Sequence, residues 1–359
     1  MTGHTERFPR VTSDELIALA HRHRTIDVHQ QRWSFAQSEE GMTLVPTTGP
    51  RYLYRGQTKR HLPCFPSLYR HLRSPARFLW ETAPEDAAKI IANAVRTFWY
   101  YAELDRHPVF QWAKTERLQL PSLELAQHYG IATALLDLTE SIEVALFFAT
   151  HRLGNGGFEP CTSGTGVLYM IDRTTMPPAF EPRFTPVFVQ PFPRPTNQWA
   201  WACEMFMGEC FEAYPWLGGL TFEHSEALAN RIRPMAEAGG PLFPPDDLAD
   251  IATRINASSV FPFESVDAAA QHMEFAFPKE RLGTVHDALV TAGFSISERV
   301  PPVLTDARAG ELALVTDVTI KTWKVSAASR LEQLYVRGGR DGAPLEYGIL
   351  TPPAVKGGP

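Results

Sequence analysis

The sequence predicts an α+β fold, in which a mainly antiparallel sheet of short strands packs against helices. Three observations lead to this prediction. Within residues 51–57 two tyrosines alternate with Leu53 and Arg55, and residues 165–172 form an apolar run bounded by turn residues, as strands do. Apolar residues recur at spacings of three and four over residues 85–106, which is typical of a helix. The almost wholly apolar run 142–149 predicts a second helix, enclosed on nearly all sides.

The 359 residues exceed the usual size of a single domain, and the 30 prolines gather in constrained connections after residue 175. We therefore divide the chain into an N-terminal helix and loop (1–49), a core (50–215), an extension (216–350) and a tail (351–359). The extension either completes the core or forms a subdomain.

Composition narrows the class of function. The net charge of −6 argues against broad, salt-dependent binding to nucleic acid. The four cysteines lack the spacing of a zinc site, so we expect no metal and reduced thiols. No apolar run reaches the roughly eighteen residues needed to cross a bilayer. We expect no membrane partner and a cytoplasmic location by default.

The remaining elements are predicted from shorter patterns. A capped helix is predicted at 13–23 and a second helical piece at 110–120, whereas 28–49 forms a long loop or weak strand. In the second half we predict a short helix within 242–255, capped by Asp246 or Asp247, and a helix at 279–292 that Gly293 closes. Regular structure resumes at 197–213, and the further strands are predicted at 187–190, 273–277, 312–320 and 332–337.

The segment 123–150 concentrates the polar residues that bear on function. Gln127, His128 and Tyr129 precede a glycine, and Asp137 lies in the apolar run that follows. The buried helix then begins after Thr139 or Ser141, either of which is a plausible N-cap, with Glu140 or Glu143 in the first turn. His128 and Tyr129 either line a ligand site or pack at a helix end. Asp137 either lines such a site, caps the helix, or pairs with an arginine.

Two charged residues outside this segment are also candidates. Arg55 ends a predicted strand beside Gly56, where a guanidinium can bind a ligand phosphate bidentately or tie down a carboxylate within the fold. Glu204 lies among aromatic residues and methionines, so it is either buried beside a cation or lines a pocket.

The order of motifs resembles that of the FRG domain. The motifs are YRGQ at 54–57, PSLYR at 66–70 and QHYGIATALLDLTESIEVALFFA at 127–149. Ala134 and Leu138 stand where the family often has arginine and tryptophan. A further family segment is present in degraded form at 199–205, which leaves either Cys203 or Glu204 in the functional place. The resemblance covers roughly residues 50–215.

FRG domains look distantly similar to ADP-ribosyltransferases, and they occur in bacterial toxins and phage-defence proteins. The resemblance therefore implies an ADP-ribosyltransferase-like fold and NAD as substrate. Cleavage of the nicotinamide–ribose bond passes through an oxocarbenium-like cation, which a carboxylate stabilises. The arginine, Ser/Thr and glutamate of that superfamily are matched by the catalytic candidates Arg55, Thr139 and Glu204. The implied NAD-binding residues are Arg55, Gln57, Gln127, His128, Tyr129, Asp137 and Ser141.

The resemblance also implies partners. These are a macromolecular acceptor of ADP-ribose (a protein or a nucleic acid) and an antitoxin or phage protein. Two other hypotheses stay open. The domain is a non-catalytic recognition module that binds a nucleotide, a nucleic acid or a phage component through Arg55, or the chain binds RNA through a local cluster of basic residues. That cluster comprises Lys59, Arg60, Arg70, Arg73 and Arg77.

Overall fold

A computed structural model describes residues 7–23, 33–38, 41–46, 49–72, 79–154, 157–273, 284–328, 331–337 and 346–349. The strands are β1 (Arg10–Val11), β2 (Trp33–Ser38), β3 (Gly41–Pro46), β4 (Tyr52–Gln57), β5 (Leu135–Thr139), β6 (His151–Gly154), β7 (Gly157–Pro160), β8 (Thr165–Asp172), β9 (Phe184–Pro186), β10 (Ala200–Glu204), β11 (Leu217–Glu223), β12 (Val260–Pro262), β13 (Ser295–Ser297), β14 (Leu331–Arg337) and β15 (Glu346–Ile349).

The helices confirm the predictions made from apolar spacing at 13–23, 85–106 and 142–149. They are α1 (Ser13–Arg22), α2 (Pro84–Arg106), α3 (Pro108–Thr115), α4 (Ser122–His128), α5 (Ile142–Thr150), α6 (Pro193–Asn197), α7 (Glu226–Ala236), α8 (Asp247–Ala257), α9 (Phe263–Met273), α10 (Thr284–Thr291) and α11 (Asp306–Ala328).

The main sheet has seven strands in the order β1-β11-β8-β4-β5-β10-β9. Only β1 and β11 pair in parallel, and the other neighbours are antiparallel. The predicted α+β class with a mainly antiparallel sheet is therefore confirmed. A second sheet, in the order β15-β14-β2-β3, joins strands near the two ends of the chain.

The main sheet opens between β4 and β5. β4 pairs with β8 from Tyr52 to Gln57, but its ladder with β5 has the single pair Tyr54 and Thr139. Beyond that pair the two strands diverge, although β5 continues to pair with β10 along its whole length. We call this opening the fork. It places the C-terminal half of β4 opposite the middle of β5 with space between them.

Helix α5 covers one face of the sheet and holds β4 in place. Its apolar side chains form a buried cluster with Tyr54, Leu168 and Phe222 from three strands. A Cβ atom at Gly56 would lie 1.7 Å from the carbonyl oxygen of Ala145 in α5, so only glycine allows this approach. The glycine of the YRGQ motif is thus explained by helix-on-strand packing.

Two strand predictions are wrong. Residues 312–320 lie within α11, where Leu312, Thr316 and Ile320 are buried at a spacing of four while Leu314 and Val318 are exposed. The β-branched residues suggested a strand, but the buried side is that of a helix. Residues 187–190 lie outside the ladder, because the amides of Val187 and Phe188 both donate to the oxygen of Ala200, and the strand here is β9.

Some of the remaining predictions are confirmed, and others fall outside the described residues. The predicted strand 332–337 corresponds to β14, and the capping aspartate of α8 is Asp246. Residues 28–49 contain β2 and β3, more regular structure than a loop. Residues 274–277 of the predicted strand 273–277, and the first part of the predicted helix 279–292, lie outside the described residues. The domain boundaries stay a prediction, and β11, just after the boundary at 215, lies in the main sheet.

Candidate functional site

A cleft of about 390 Å³ lies at the fork, within the size range of small-ligand sites. Strands β4 and β5, helix α5 and the segment around α6 surround it. Its polar and charged lining residues are Arg55, Gln57, Thr58, His61, Arg70, His128, Asp137, Thr139, His151, Arg152, Arg194 and Gln198. In a protein of net charge −6, four arginines and one carboxylate line this cleft among the residues that the structure describes.

Arg55 spans the fork. Its Nη1 donates a hydrogen bond of 2.6 Å to the main-chain oxygen of Asp137 on the opposite strand. The residue is 8% exposed, yet its Nε is buried without a hydrogen-bond partner in the described part of the chain. The guanidinium is thus held by one edge, and a second edge remains for a ligand.

Asp137 is the carboxylate of the cleft, and a chain of hydrogen bonds orients it. Its Oδ2 accepts from Nε2 of Gln127 at 2.9 Å, while Oε1 of Gln127 accepts from Ser67 Oγ at 3.0 Å and Thr133 Oγ1 at 2.8 Å. Burial raises the pKa of Asp137, and the positive charge of Arg55 and the bond from Gln127 oppose this rise. Gln127 therefore serves the site by positioning Asp137, with PSLYR supplying the serine.

Arg194 reaches the cleft from the proline-rich segment. Its guanidinium lies over the rings of Tyr129 and Phe243, 5.1 and 4.9 Å from their centroids. The Tyr129 hydroxyl donates to the carboxylate of Asp246, which caps α8. Tyr129 is therefore a support for Arg194 and is not itself a lining residue of the cleft.

Five buried polar atoms of lining residues have no hydrogen-bond partner among the described residues. They are Arg55 Nε, Gln57 Oε1, His128 Nε2, His151 Nε2 and Arg194 Nε. Burial, followed by the charge of Arg194, lowers the pKa of His128 to about 3, so its ring is neutral near pH 7. Each such atom is costly to bury without a partner, and all five belong to residues that line the same cleft.

Thr139 and Ser141 make bonds within the fold. Thr139 Oγ1 donates to the oxygen of Gln198 at 2.7 Å and accepts from the amide of Ser141 at 3.0 Å. Ser141 is the N-cap of α5: its Oγ accepts from the amide of Val144 at 3.2 Å and donates to Glu143 at 3.0 Å. Thr139 lines the cleft and Ser141 does not. Both hydroxyl protons are therefore already used.

Glu204 lies apart from this group. It is exposed at the end of β10, paired with Leu135, whereas Ala200 at the other end pairs with Thr139 at the cleft. Glu204 lies four residue steps along the strand from Ala200, roughly 13 Å. The charge of Glu204 acts on Tyr69 and Glu124. Its catalytic role stays a prediction, but Arg55 and Asp137 face each other without it.

A larger groove of about 730 Å³ lies between α2 and α10. Its lining is mostly apolar, and none of the unpartnered buried polar atoms found in the described residues belongs to it. Size alone would favour this groove, but the polar chemistry lies at the fork. We therefore take the fork as the candidate site.

Arg194 and His151 are among the cleft residues that sequence reasoning missed. Arg194 lies between two prolines, and His151 directly follows the apolar run of α5. A cation in a rigid segment and an imidazole at the end of a buried helix are signals that could have marked them. Arg70 was noted only as part of a basic cluster.

The described ranges contain neither a metal-binding cluster nor a membrane-spanning helix. No group of three His, Cys, Asp or Glu side chains is arranged to hold a metal ion there. None of the helices in that part of the chain is both long and apolar enough to cross a membrane.

The protein is thus an α+β protein with a cationic cleft at a fork in its main sheet. Several buried polar atoms of the residues that line this cleft have no hydrogen-bond partner among the described residues. The family model of the FRG domain matches residues 50–155, the part that supplies β4, α4, β5 and α5. The chain therefore contains an FRG domain, and this domain contributes Arg55, His128 and Asp137 to the cleft. No curated protein and no solved structure gives a significant match to the chain.

Proposed function

We propose that the cleft of this FRG domain binds a phosphate-bearing nucleotide, and that NAD is its ligand. The observation that carries the proposal is that residues lining one cleft at the fork hold five buried, unpartnered polar atoms, two of them on arginines. Arginine suits phosphate because its planar fork of N–H donors matches two phosphate oxygens. The excess of positive charge in the cleft attracts an anion even though the whole protein is acidic.

The arginines of the cleft would bind different phosphates of the ligand. Arg55 and Arg194 are held in fixed positions by the Asp137 oxygen and the Tyr129 ring, so they lose little freedom on binding. Arg70 is exposed and lines the same cleft, so its side chain can move to bind a second phosphate. A dinucleotide, with two linked phosphates between two nucleosides, would engage more of these charges than a single phosphate does.

NAD consumption, by transfer of ADP-ribose or by hydrolysis, is the activity that we propose for this site. The reaction needs a carboxylate beside the ribose to stabilise positive charge as nicotinamide leaves. Asp137 is the acid that lines the cleft and that Gln127 orients, which favours it over the more distant Glu204. The exposed position of Glu204 equally favours the second candidate function, a recognition module that binds a nucleotide without turnover.

Calorimetric titration with NAD tests the binding step. Arg55→Ala is expected to weaken NAD binding at least about tenfold, since a hydrogen bond to a charged group contributes about 1.5–3 kcal/mol. Arg299→Ala, an exposed arginine outside the cleft, is the matched control and is expected to bind as the wild type does. Equal affinity of Arg55→Ala and wild type would refute the proposed site.

Chromatographic detection of nicotinamide tests turnover. If nicotinamide is released, we expect Asp137→Asn to stop the release while Glu204→Gln continues it. The opposite result would assign the acid to Glu204, as the resemblance implies. Binding of NAD without any release would identify the recognition module.

A further inference from the structure

His151 is a cleft residue that the proposed binding of phosphates leaves unexplained. It directly follows α5, its ring stacks on Phe147 with centroids 4.4 Å apart, and it is 2% exposed. It nevertheless lines the cleft at the fork, and its Nε2 is buried without a partner in the described residues. These contacts fix the ring, and Nε2 is the ring nitrogen that the described residues leave without a partner.

The hydrogen bonds of the ring determine which nitrogen carries the proton. Nδ1 lies 3.2 Å from the main-chain oxygen of Phe147, which can only accept. Nδ1 also lies 3.0 Å from Thr150 Oγ1, whose own proton is donated to the oxygen of Leu146 at 2.7 Å. Both contacts require a proton on Nδ1, so in the neutral ring Nε2 carries a lone pair.

The surroundings keep the ring neutral. Burial lowers the pKa of His151, the bond to Phe147 opposes this, and the charge of Arg233 adds to the lowering. At neutral pH, Nε2 is therefore an acceptor among cations. The arginines of the cleft donate to acceptors on the ligand, such as phosphate oxygens. The Nε2 atom of His151 is itself an acceptor, so it needs a donor on the ligand.

We propose that His151 Nε2 accepts a hydrogen bond from an O–H or N–H group of the ligand, and thereby selects nucleotides over compounds that carry phosphates alone. The inference rests on the proposed function and deepens it. Gln57 Oε1, a second buried atom of the same cleft without a partner, is a further acceptor for such a donor. Ribose hydroxyls and the amino group of adenine are donors of the required kind.

Two variants at position 151 separate the acceptor from the fold. His151→Asn keeps an N–H group near Nδ1 for the inner bond and removes the acceptor at Nε2, whereas His151→Gln places an amide oxygen near Nε2. The probes are ADP-ribose, which carries phosphates and donors, and inorganic pyrophosphate, which offers phosphates alone. Thermal melts of both variants measure the structural effect separately.

We expect His151→Asn to weaken ADP-ribose binding about tenfold, which corresponds to the loss of one good hydrogen bond. Pyrophosphate affinity is expected to change less than about twofold, and His151→Gln to recover most of the ADP-ribose affinity. Should His151→Asn fail to fold, nitrogen NMR of wild-type protein replaces it. The Nε2 resonance of His151 should then shift with ADP-ribose and stay unchanged with pyrophosphate.

The outcomes distinguish this inference from the proposed function. If wild type binds ADP-ribose and His151→Asn binds it equally well, the acceptor role is wrong and the nucleotide site stands. Equal weakening of both probes would also overturn the inference, because it would indicate a general structural effect. If wild type binds neither ADP-ribose nor NAD, both proposals fail.

Discussion

Arg60 and the two arginines at the fork differ in how the fold satisfies their hydrogen-bond donors. Arg60 makes three hydrogen bonds of 2.6–3.0 Å to the buried carboxylate of Glu212, which also accepts from the Tyr169 hydroxyl at 2.6 Å. Arg55 and Arg194 at the fork each keep a buried Nε without a partner in the described structure. The difference teaches that the fold uses Arg60 as a structural tie, whereas it leaves donors of the two arginines at the fork without a partner.

The largest effect is expected on the free energy of unfolding when the ion pair between Arg60 and Glu212 is broken. Glu212→Ala leaves the buried Tyr169 hydroxyl without its acceptor and removes the carboxylate facing Arg60, so unfolding by urea should show a loss of about 2–3 kcal/mol. The control is Glu223→Ala, which removes an exposed ion pair with Arg10 and should cost less than about 1 kcal/mol. Equal losses in the two variants would contradict the comparison.

Substitution of an arginine at the fork should lower the affinity for NAD more than the stability of the fold. Arg194→Met retains apolar contact with Tyr129 and removes the guanidinium, so NAD affinity measured by calorimetry should fall about tenfold, or about 1.4 kcal/mol. The melting temperature should change little, since the lost Nε made no bond within the described structure. A large loss of stability with unchanged affinity would show that Arg194 is a structural tie.

The smallest effect is expected in how the free energy of unfolding changes at acidic pH. His128 has a folded-state pKa of about 3, whereas the unfolded chain takes up a proton below about 6.5. Its contribution to stability is therefore complete above about pH 6.5 and is lost as the pH falls towards the folded value. Between about pH 6 and about pH 5, wild type should lose about 1 kcal/mol more unfolding free energy than His128→Asn. Identical pH dependence of the two proteins would show that His128 is not held neutral.

Local signals made much of the fold predictable. The buried run of α5, its serine cap, the amphipathic spacing of α2 and the strands β4 and β8 all follow from residues near in sequence. Residues 312–320 misled because Val315, Val318 and Ile320 favour strands, although burial at intervals of four reveals a helix. Tertiary packing decided that segment.

The site was predictable in part. Arg55, Gln57, His128, Asp137 and Thr139 line the cleft, and the family motifs had grouped them. The functional roles assigned to them stay predictions. The rest depended on long-range geometry: the distance of Glu204 follows from strand register, which no local pattern fixes.

Arg194 and His151 join the cleft through α6 and the end of α5, and their contribution arises only when the sheet forks.

The close contact between Gly56 and Ala145 has a consequence for how this site can change. Any side chain at position 56 would act as a wedge between β4 and α5 and would move the neighbours Arg55 and Gln57 away from Asp137. A residue that offers no functional group thus sets the width of the opening. The arginine and the glycine of the motif form one mechanical unit, in which the first supplies the charge and the second supplies the spacing.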